Sequence, residues 1–338
     1  MAVGKQAEPA VLADPAAAAK RATARVERVS AGLEELDRWL SDQVRGGLAG
    51  FERAGYSHVD HMAARMVDAQ APGVASMLRS IPAELTGVGW PERVLNQLAS
   101  LHLLIQAHRQ LDLLPPELAA TVRSRIGYPV SKSQVLEGPG VSDRWLALGM
   151  VDTVEFRLET RRVWLYGIET SRWAMWLNFA PPGNHLDATV LPGQALVSRI
   201  HFYPGSGQYR ALIGEHDDAG DDQLGPEDDV ATESIAEVQH RFAELLAADP
   251  WASRMPAVVD AAPIHGHSEG GSWLLRDGSG LACRVVERYG EPWPLLARSG
   301  GEPLRIFGEW NGQEFRPLSV LADHRGLPFS TSVLGRAA

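Results

Sequence analysis

Two short groups of histidines and carboxylates are the first candidates for chemistry in this sequence. His58 and His61 are three residues apart with Asp60 between them, a spacing at which two rings on one helix can share a metal ion. The segment His265-Gly266-His267 lies beside Glu269, and loop histidines of this kind can also bind metal. The first group has no obvious third ligand, and joining the second to His216, Asp217 or Asp218 would need a tertiary contact that the sequence does not show. Structural or solvent-facing roles are commoner for such residues. We therefore expect no metal site and no cofactor.

The strongest charge feature is residues 215–229, which contain eight carboxylates and no lysine or arginine. Hard cations such as Ca²⁺ prefer several carboxylates, but the ligand spacing of a calcium-binding loop is missing here. We expect a solvated acidic loop that could repel nucleic acid or meet a basic protein surface. Without this segment the net charge changes from −10 to −2. That balance makes strong nonspecific nucleic-acid binding unfavourable, because such binding needs a basic face.

Cys283 is the one cysteine of the chain, so neither an intrachain disulfide nor a multi-cysteine zinc site can form. It lies in the apolar run 281–286, which predicts a buried side chain that behaves as a small hydrophobic residue. A catalytic thiol would instead need a neighbouring base and an electropositive setting.

A third set of candidates combines arginines with aromatic residues between positions 157 and 176. Cations beside aromatic faces suit a groove for single-stranded nucleic acid, and Trp and Arg are equally favoured at protein–protein interfaces. Strand alternation places Trp173 and Trp176 on opposite faces, so ordinary core packing accounts for at least one of these rings. The three interpretations stay open, and the candidate partner-binding residues are Arg157, Arg161, Arg162, Trp164, Tyr166, Arg172 and Trp176.

Familiar catalytic motifs are missing from the sequence. It contains no phosphate-binding loop, no dinucleotide-binding glycine motif between a strand and a helix, no H-E-x-x-H and no G-x-S-x-G. We therefore expect a protein that is not an enzyme. An enzyme of unrecognised type is the third alternative, after a protein-binding adaptor and a nucleic-acid-binding accessory protein.

The first part of the chain shows helical periodicity. Apolar residues recur at spacings of three and four from Leu33 to Phe51, which predicts one long helix with an apolar face. A second such segment covers 59–67, and a third follows Pro91. Ser131 and Gln134 form a capping-box pattern that predicts a further short helix. Together these segments indicate a helical bundle.

After Gly138-Pro139-Gly140 the pattern changes to the period of two that is typical of strands. One helix interrupts the strands near 232–248. Asn311-Gly312 predicts a hairpin with a two-residue type I′ turn. No internal repeat is evident. We predict an α+β fold, in which an N-terminal all-helical bundle is followed by mostly antiparallel β modules with one intervening helix.

These patterns also predict the domain bounds. The N-terminal residues lack the apolar stretch of a secretory signal, and no stretch is long and apolar enough to span a membrane, so we expect a cytoplasmic protein. The predicted segments are a flexible tail (1–15), the helical bundle (16–140), an antiparallel β domain (141–214), the acidic loop (215–229), a helix (230–254), a small β-barrel-like or sheet domain (255–322) and a frayed tail (323–338).

Several segments together resemble one protein family. The most specific is GWPERVLNQLASLHLLIQAHRQLDLLPPELAATVRSRIGYPVS at 89–131, with GLEELDRWLSDQVRGGLAG at 32–50 and RWLALGMVDTVEFRLETRRVWLYG at 144–167. Over roughly residues 20–320 the chain resembles the region downstream of the zinc finger in bacterial, especially actinobacterial, SWIM zinc finger family proteins. The C-x-C…C-x-H finger itself is missing, either through loss or because the sequence starts after it.

The resemblance implies an accessory role. Proteins of the family that it resembles are encoded beside MoxR-type AAA+ ATPases and von Willebrand factor A proteins, which implies an adaptor or scaffold in a chaperone-like assembly. The missing finger means that zinc binding, and any recognition by the finger, does not transfer to this chain. The resemblance assigns no catalytic residues.

Overall fold

The computed structural model describes residues 15–54, 56–85, 89–155, 158–216, 230–266, 271–286 and 290–323. The chain divides into two compact units, Met1–Pro129 and Val130–Ala338. Nearly all of the predicted flexible tail, of the predicted acidic loop and of the predicted frayed tail lies outside the described residues. Residues 130–140, which the sequence pattern groups with the bundle, fall in the second unit.

The first unit is helical. Its helices are α1 (Pro15–Gly46), α2 (Ala49–Ala54), α3 (Tyr56–Asp68), α4 (Pro72–Ser80), α5 (Trp90–Arg109) and α6 (Pro116–Ile126). Leu33, Leu36 and Leu40 of α1 are buried as the periodicity predicts. The prediction of a single long helix that reaches Phe51 is wrong, however. Gly47 has a φ of +81°, a conformation that ends α1, and it leaves Val44 exposed.

An ionic network joins α1 to α5 in this unit. The Arg109 guanidinium donates to both carboxylate oxygens of Glu34 at 2.8 Å and to Asp37 at 2.8 Å. His102, two turns before Arg109, hydrogen-bonds the other oxygen of Asp37 at 2.8 Å. The bidentate geometry fixes the two helices in register, which a single surface ion pair would do weakly.

The second unit starts with α7 (Lys132–Glu137), whose predicted capping box is confirmed. Five strands then close into a barrel, which we call barrel 1: β1 (Gly140–Glu155), β2 (Leu158–Gly167), β3 (Trp173–Ala180), β4 (Ala195–Phe202) and β5 (Arg210–His216). Around barrel 1 the order is β1-β2-β3-β5-β4, and β4 pairs with β1 to close it. All pairs are antiparallel except β3 with β5. Its interior is filled by Trp145, Val163, Leu165, Ile200 and their neighbours.

Barrel 2 follows after α8 (Ile235–Ala248). Its elements are β6 (Met255–His265), β7 (Trp273–Asp277), β8 (Ala282–Val285), α9 (Trp293–Ser299), β9 (Leu304–Trp310) and β10 (Glu314–Asp323). The strand order β6-β7-β8-β10-β9 repeats that of barrel 1, and the third and fifth strands are again the parallel pair. The chain thus contains a repeat of topology that the sequence does not reveal. Interior side chains alternate along each strand, and α8 adds its apolar side to the same core.

The hairpin at Asn311-Gly312 forms, but its predicted type I′ turn is wrong. The loop has three residues, 311–313, and only Gly312 has a positive φ, at +96°. The Asn311 side-chain oxygen accepts hydrogen bonds from the N–H groups of Gln313 and Glu314, at 2.9 and 2.8 Å. This side-chain bonding holds the backbone in a wider loop than two residues would allow.

The α+β fold class is confirmed: a helical unit precedes two mostly antiparallel barrels with a helix between them. In the described part of the chain, no helix has both the length and the hydrophobicity needed to cross a membrane.

Candidate functional site

The arginine and aromatic candidates lie on β2 and β3, and strand alternation divides them between two faces. The β2 side chains that point outward from barrel 1 are Arg162, Trp164 and Tyr166. The side chains that alternate with them lie on the opposite face, which faces the barrel interior, and they are Arg161, Val163 and Leu165. Arg157 lies outside the described residues. The structure therefore does not bring the predicted set together on one surface.

The outward face of β2 is buried by barrel 2. Arg162 donates to both carboxylate oxygens of Glu309 on β9, at 2.7 and 3.1 Å, and Trp164 Nε1 donates to the same carboxylate at 2.7 Å. Arg254 adds a longer ion pair to Glu309, at 3.7 Å. The Glu309 side chain is 5% exposed and that of Arg162 is 12% exposed. These groups form a charged joint between the two barrels.

Aromatic rings continue this joint. Tyr166 packs on Trp173 with their ring centres 4.8 Å apart, and Trp173 stacks on Phe307 of barrel 2 at 5.4 Å. Leu146 and Leu148 of β1 and Val258 of β6 belong to the same cluster. The prediction that Trp164 and Tyr166 form part of an exposed partner-binding surface is therefore wrong, because the chain's own second barrel covers them.

The remaining candidates are separated from one another. Arg161 makes a bidentate pair with Asp152 on β1, at 2.8 and 2.7 Å, and also donates to the carbonyl of Asp187. Trp176 is half-buried and packs against the interior of barrel 1, so it and Trp173 do lie on opposite faces. Arg172 is exposed, with its guanidinium carbon 4.2 Å from the centre of the Phe202 ring. No continuous groove of arginines and rings exists among these described residues.

The electrostatics of the joint favour the ionised form of Glu309. Burial alone would raise the pKa of its carboxyl, but the positive charges of Arg162 and Arg254, with the hydrogen bonds from Arg162 and Trp164, lower that pKa below its usual value. A buried pair of this kind is expensive to break, because removing one partner leaves the other charge buried without compensation.

Two further buried carboxylates each hold a turn between the second and third strands of a barrel. In barrel 1, Asp143 accepts from the Thr170 hydroxyl at 2.6 Å and from the N–H groups of Glu169 and Thr170 at 3.1 and 2.9 Å. Burial alone would raise its pKa, but these bonds lower the pKa below its usual range.

In barrel 2, Asp277 accepts from the Ser279 hydroxyl at 2.6 Å and from the N–H groups of Ser279 and Leu281 at 2.9 and 3.1 Å. It also accepts from the N–H of Ile235 at the start of α8, at 2.9 Å. Burial opposes ionisation here too, but the bonds outweigh it and lower the pKa of Asp277. Both carboxylates are charged, and backbone N–H groups and hydroxyls already donate hydrogen bonds to their oxygens. A general base would instead have a raised pKa and a carboxylate oxygen free to accept a proton.

The metal candidates have structural surroundings. His58 Nε2 lies 2.6 Å from the Gln43 side-chain oxygen, and its ring packs against Phe51 with centres 4.7 Å apart. Asp60 faces Arg79 across 3.6 Å. His267 and Glu269 lie outside the described residues, while His265 packs edge-to-face on Trp273. Across the described ranges, no three His, Cys, Asp or Glu side chains are grouped so that they could hold a metal ion.

Cys283 lies in the interior of barrel 2, which confirms the prediction of a buried apolar role. Burial raises the pKa of its thiol to about 12, and the charge of Asp277 acts in the same direction. The side chain is therefore a neutral thiol near neutral pH, and it lacks the thiolate character of a nucleophile.

Sequence reasoning missed two features. The first is Glu309, although a lone acid in the apolar segment 306–310 is a signal for a buried, paired charge. The second is the outer face of β7 and β8, where Arg276 and Arg284 are exposed beside Leu274. In barrel 2 this face corresponds by strand order to the covered face of barrel 1.

Comparison with known families identifies the helical unit. Residues 24–126 match the model of the SWIM-associated four-helix bundle domain, so the first unit carries that bundle. The expected resemblance to the region downstream of the finger in SWIM proteins is thereby confirmed, over a bundle that covers less than a third of the chain. Comparison with curated proteins and with solved structures returned no match.

Proposed function

We propose that this chain is a non-catalytic adaptor or scaffold in the cytoplasm that binds protein partners, as an accessory component of an assembly with a MoxR-type AAA+ ATPase and a von Willebrand factor A protein. The observation that carries the proposal is the SWIM-associated bundle at 24–126. Its partners are those that the SWIM resemblance implies. The surroundings of Asp143, Asp277, Glu309 and Cys283 support a non-catalytic role, because each group is committed to the chain's own structure.

The bundle offers an apolar surface that fits this role. Leu95 and Leu103, eight residues apart on the outward side of α5, are each 46% exposed, and Leu113 just after α5 is 82% exposed. Ala99, between the two leucines in the helical repeat, is exposed as well. Exposed apolar residues that line up on one face are typical of protein-binding surfaces.

The test is direct binding of the purified full chain to the MoxR-type ATPase and the von Willebrand factor A protein encoded in the same genome. Biolayer interferometry should give saturable binding to at least one of them. The L95E/L103E variant should weaken that binding at least tenfold, while Asn96→Glu on the same helix leaves it unchanged. Absence of binding to both proteins would overturn the proposed assembly.

Nucleic-acid binding is the second candidate, and the architecture of the barrels favours it. A closed five-stranded Greek-key barrel is the plan of the OB fold, which binds oligonucleotides on the face of its second and third strands. In barrel 2 that face is β7–β8, with Arg276 and Arg284 exposed. Fold alone does not assign a ligand. Fluorescence anisotropy with a labelled oligothymidine should show binding that falls steeply with salt and is lost in R276A/R284A; no binding at low salt removes this candidate.

A further inference from the structure

One strand of barrel 1 runs past the point where its barrel closes. β3 pairs with β2 along its whole length, from Tyr166 opposite Trp173 to Glu159 opposite Ala180. With β5 it pairs only at Met175 and Trp176. Beyond Trp176, residues Leu177–Ala180 face no other strand on that side among the residues that the structure describes.

The backbone of this edge is oriented for strand pairing. The Met175 N–H donates to the Tyr209 carbonyl at 2.7 Å, on the side of β3 that faces β5. Successive residues of a strand direct their N–H and C=O groups to alternate sides. Leu177 and Phe179 therefore present a donor and an acceptor each on the β5 side, while Asn178 and Ala180 bond to β2.

Barrel 2 shows that this edge is not inherent in the topology. Its third strand, β8, ends at Val285, the residue that pairs with Phe315 of β10. The next residue, Val286, still donates its N–H to the Phe315 carbonyl at 2.9 Å. In barrel 2 the third strand thus ends at its closing contact, and in barrel 1 it continues for four residues.

The side chains of the edge favour an apolar, alternating partner. Phe179 is 47% exposed and Leu158 on the neighbouring strand is 38% exposed. On the opposite face, Asn178 lies across from Arg161, which is already paired with Asp152. The Asn178 side-chain oxygen accepts from the Asp187 N–H at 3.1 Å, so this face is occupied by the chain itself. Residues 177–180 contain no charge and no proline, the usual means by which proteins protect an open strand edge.

We propose that the β3 edge at Leu177–Ala180 receives an extended segment of a protein partner as an added strand. That segment carries apolar side chains at every second position, on the face that it shares with Leu177 and Phe179. β5 borders the edge at Arg210 and Ala211, so the opening suits a single extended segment better than a second folded barrel. This inference rests on the proposed protein-binding function and names the kind of partner that it takes.

The experiment selects a displayed library of random twelve-residue peptides on the full chain and measures the affinity of the enriched peptides. Phe179→Pro removes the N–H that faces the edge but keeps the bonds to β2, and Phe179→Ala removes the side chain but keeps that N–H. Enriched peptides should alternate apolar and polar residues. They should bind Phe179→Pro at least tenfold more weakly than wild type, and Phe179→Ala more tightly than Phe179→Pro.

A second measurement does not depend on how well the proline variant folds. When a selected peptide saturates the wild-type chain, hydrogen exchange at the Leu177 and Phe179 amides should slow at least tenfold. The proposal is overturned if the selected peptides bind Phe179→Pro and Phe179→Ala equally, or if they leave the Leu177 and Phe179 amides unprotected. It is also overturned if the wild-type chain is a dimer that the Phe179→Pro substitution converts to monomers, because the edge then pairs with a second copy of the chain. If Phe179→Pro binds the ATPase or the von Willebrand factor A protein as tightly as wild type does, the proposal that the β3 edge receives the partner is overturned. The proposed adaptor function is then unaffected.

Discussion

The two barrels share one strand order and use the same face in opposite ways. In barrel 1 the outer face of the second and third strands carries Trp164, Tyr166 and Trp173, and barrel 2 covers it. In barrel 2 the corresponding face, on β7 and β8, is short and exposes Arg276 and Arg284. Topology therefore does not determine whether this face binds. The side chains on it do, since large aromatic rings there need a cover and arginines do not.

The cover also explains the longer strands of barrel 1. β2 has 10 residues and β3 has 8, against 5 and 4 in the corresponding strands β7 and β8. The longer strands extend the paired surface on which barrel 2 packs, and they leave the edge of β3 beyond it. Breaking the contact between the barrels should therefore cost far more than altering either turn alone.

The largest effect is expected from Glu309→Ala. The substitution leaves the buried Arg162 guanidinium without its counter-charge and Trp164 without its acceptor, which should lower the free energy of unfolding by about 3–5 kcal/mol. Urea unfolding followed by circular dichroism measures this. Glu302→Ala, at an exposed acid of the same barrel, is the control and should be nearly neutral.

A double variant separates the charge from the contact. In R162M/E309Q both charges are gone, and the introduced amide can still accept a hydrogen bond from Trp164, so most of the lost stability should return. If this variant is as unstable as Glu309→Ala, the joint depends on something other than the uncompensated charge.

A smaller loss is expected from Gly149→Ala, which tests how closely the barrels approach. A Cβ atom there would lie 2.5 Å from Cε1 of Phe307 and 3.1 Å from Cβ of Leu318. Forcing the barrels apart should cost about 1–3 kcal/mol, measured by thermal unfolding. Phe307→Leu in the same chain should restore part of the loss, and Gly278→Ala, where a Cβ meets nothing within 4 Å, should not change stability. An unaffected Gly149→Ala protein would mean that the contact is loose.

The two turn-holding carboxylates allow a direct comparison of the barrels through pH. Asp143 and Asp277 have folded pKa values below the ordinary 3.8, so each adds stability above pH 3.8 that is lost as the pH falls through the folded pKa. Asp143→Asn and Asp277→Asn should each lose about 1–2 kcal/mol at pH 7. The two losses should be similar, because each carboxylate accepts four hydrogen bonds, which for Asp143 include the Arg144 N–H and for Asp277 the Ile235 N–H at the start of α8.

Urea unfolding between pH 7 and pH 3 measures both effects. The loss of stability on acidification should be smaller in each variant than in wild type. A variant that keeps the full acid dependence would show that its carboxylate is not responsible for it.

The sequence predicted what depends on local pattern. The alternation along β2 and β3, the opposite faces of Trp173 and Trp176, the capping box at Ser131 and the burial of Cys283 all follow from periodicity or hydrophobicity. It could not predict what depends on contacts between distant segments. Arg162 and Glu309 are 147 residues apart, and nothing near Trp164 in the sequence shows that another barrel covers it.

A different limit, the conformation of single residues, explains the two local errors. Apolar spacing continued through Gly46-Gly47, but the backbone conformation of Gly47 ended the helix. At Asn311-Gly312 the residue types were right for a tight turn, yet the Asn311 side chain took two backbone donors and widened it. In both places a conformation of one or two residues overrode a pattern that spans many.

The smallest effect is expected at Cys283, which serves as a reporter for barrel 2. With a thiol pKa of about 12 in the folded chain, iodoacetamide at pH 8 should not label it. In the unfolded chain, where the thiol pKa is near 8.5, labelling should be rapid. Mass spectrometry of samples labelled across a urea series should therefore trace the opening of barrel 2 alone. If the Glu309 joint makes the barrels one cooperative unit, labelling and circular dichroism will share a midpoint in wild type. In Glu309→Ala they should separate, whichever barrel opens first; coincident curves in that variant would mean that the aromatic contacts suffice to couple the barrels.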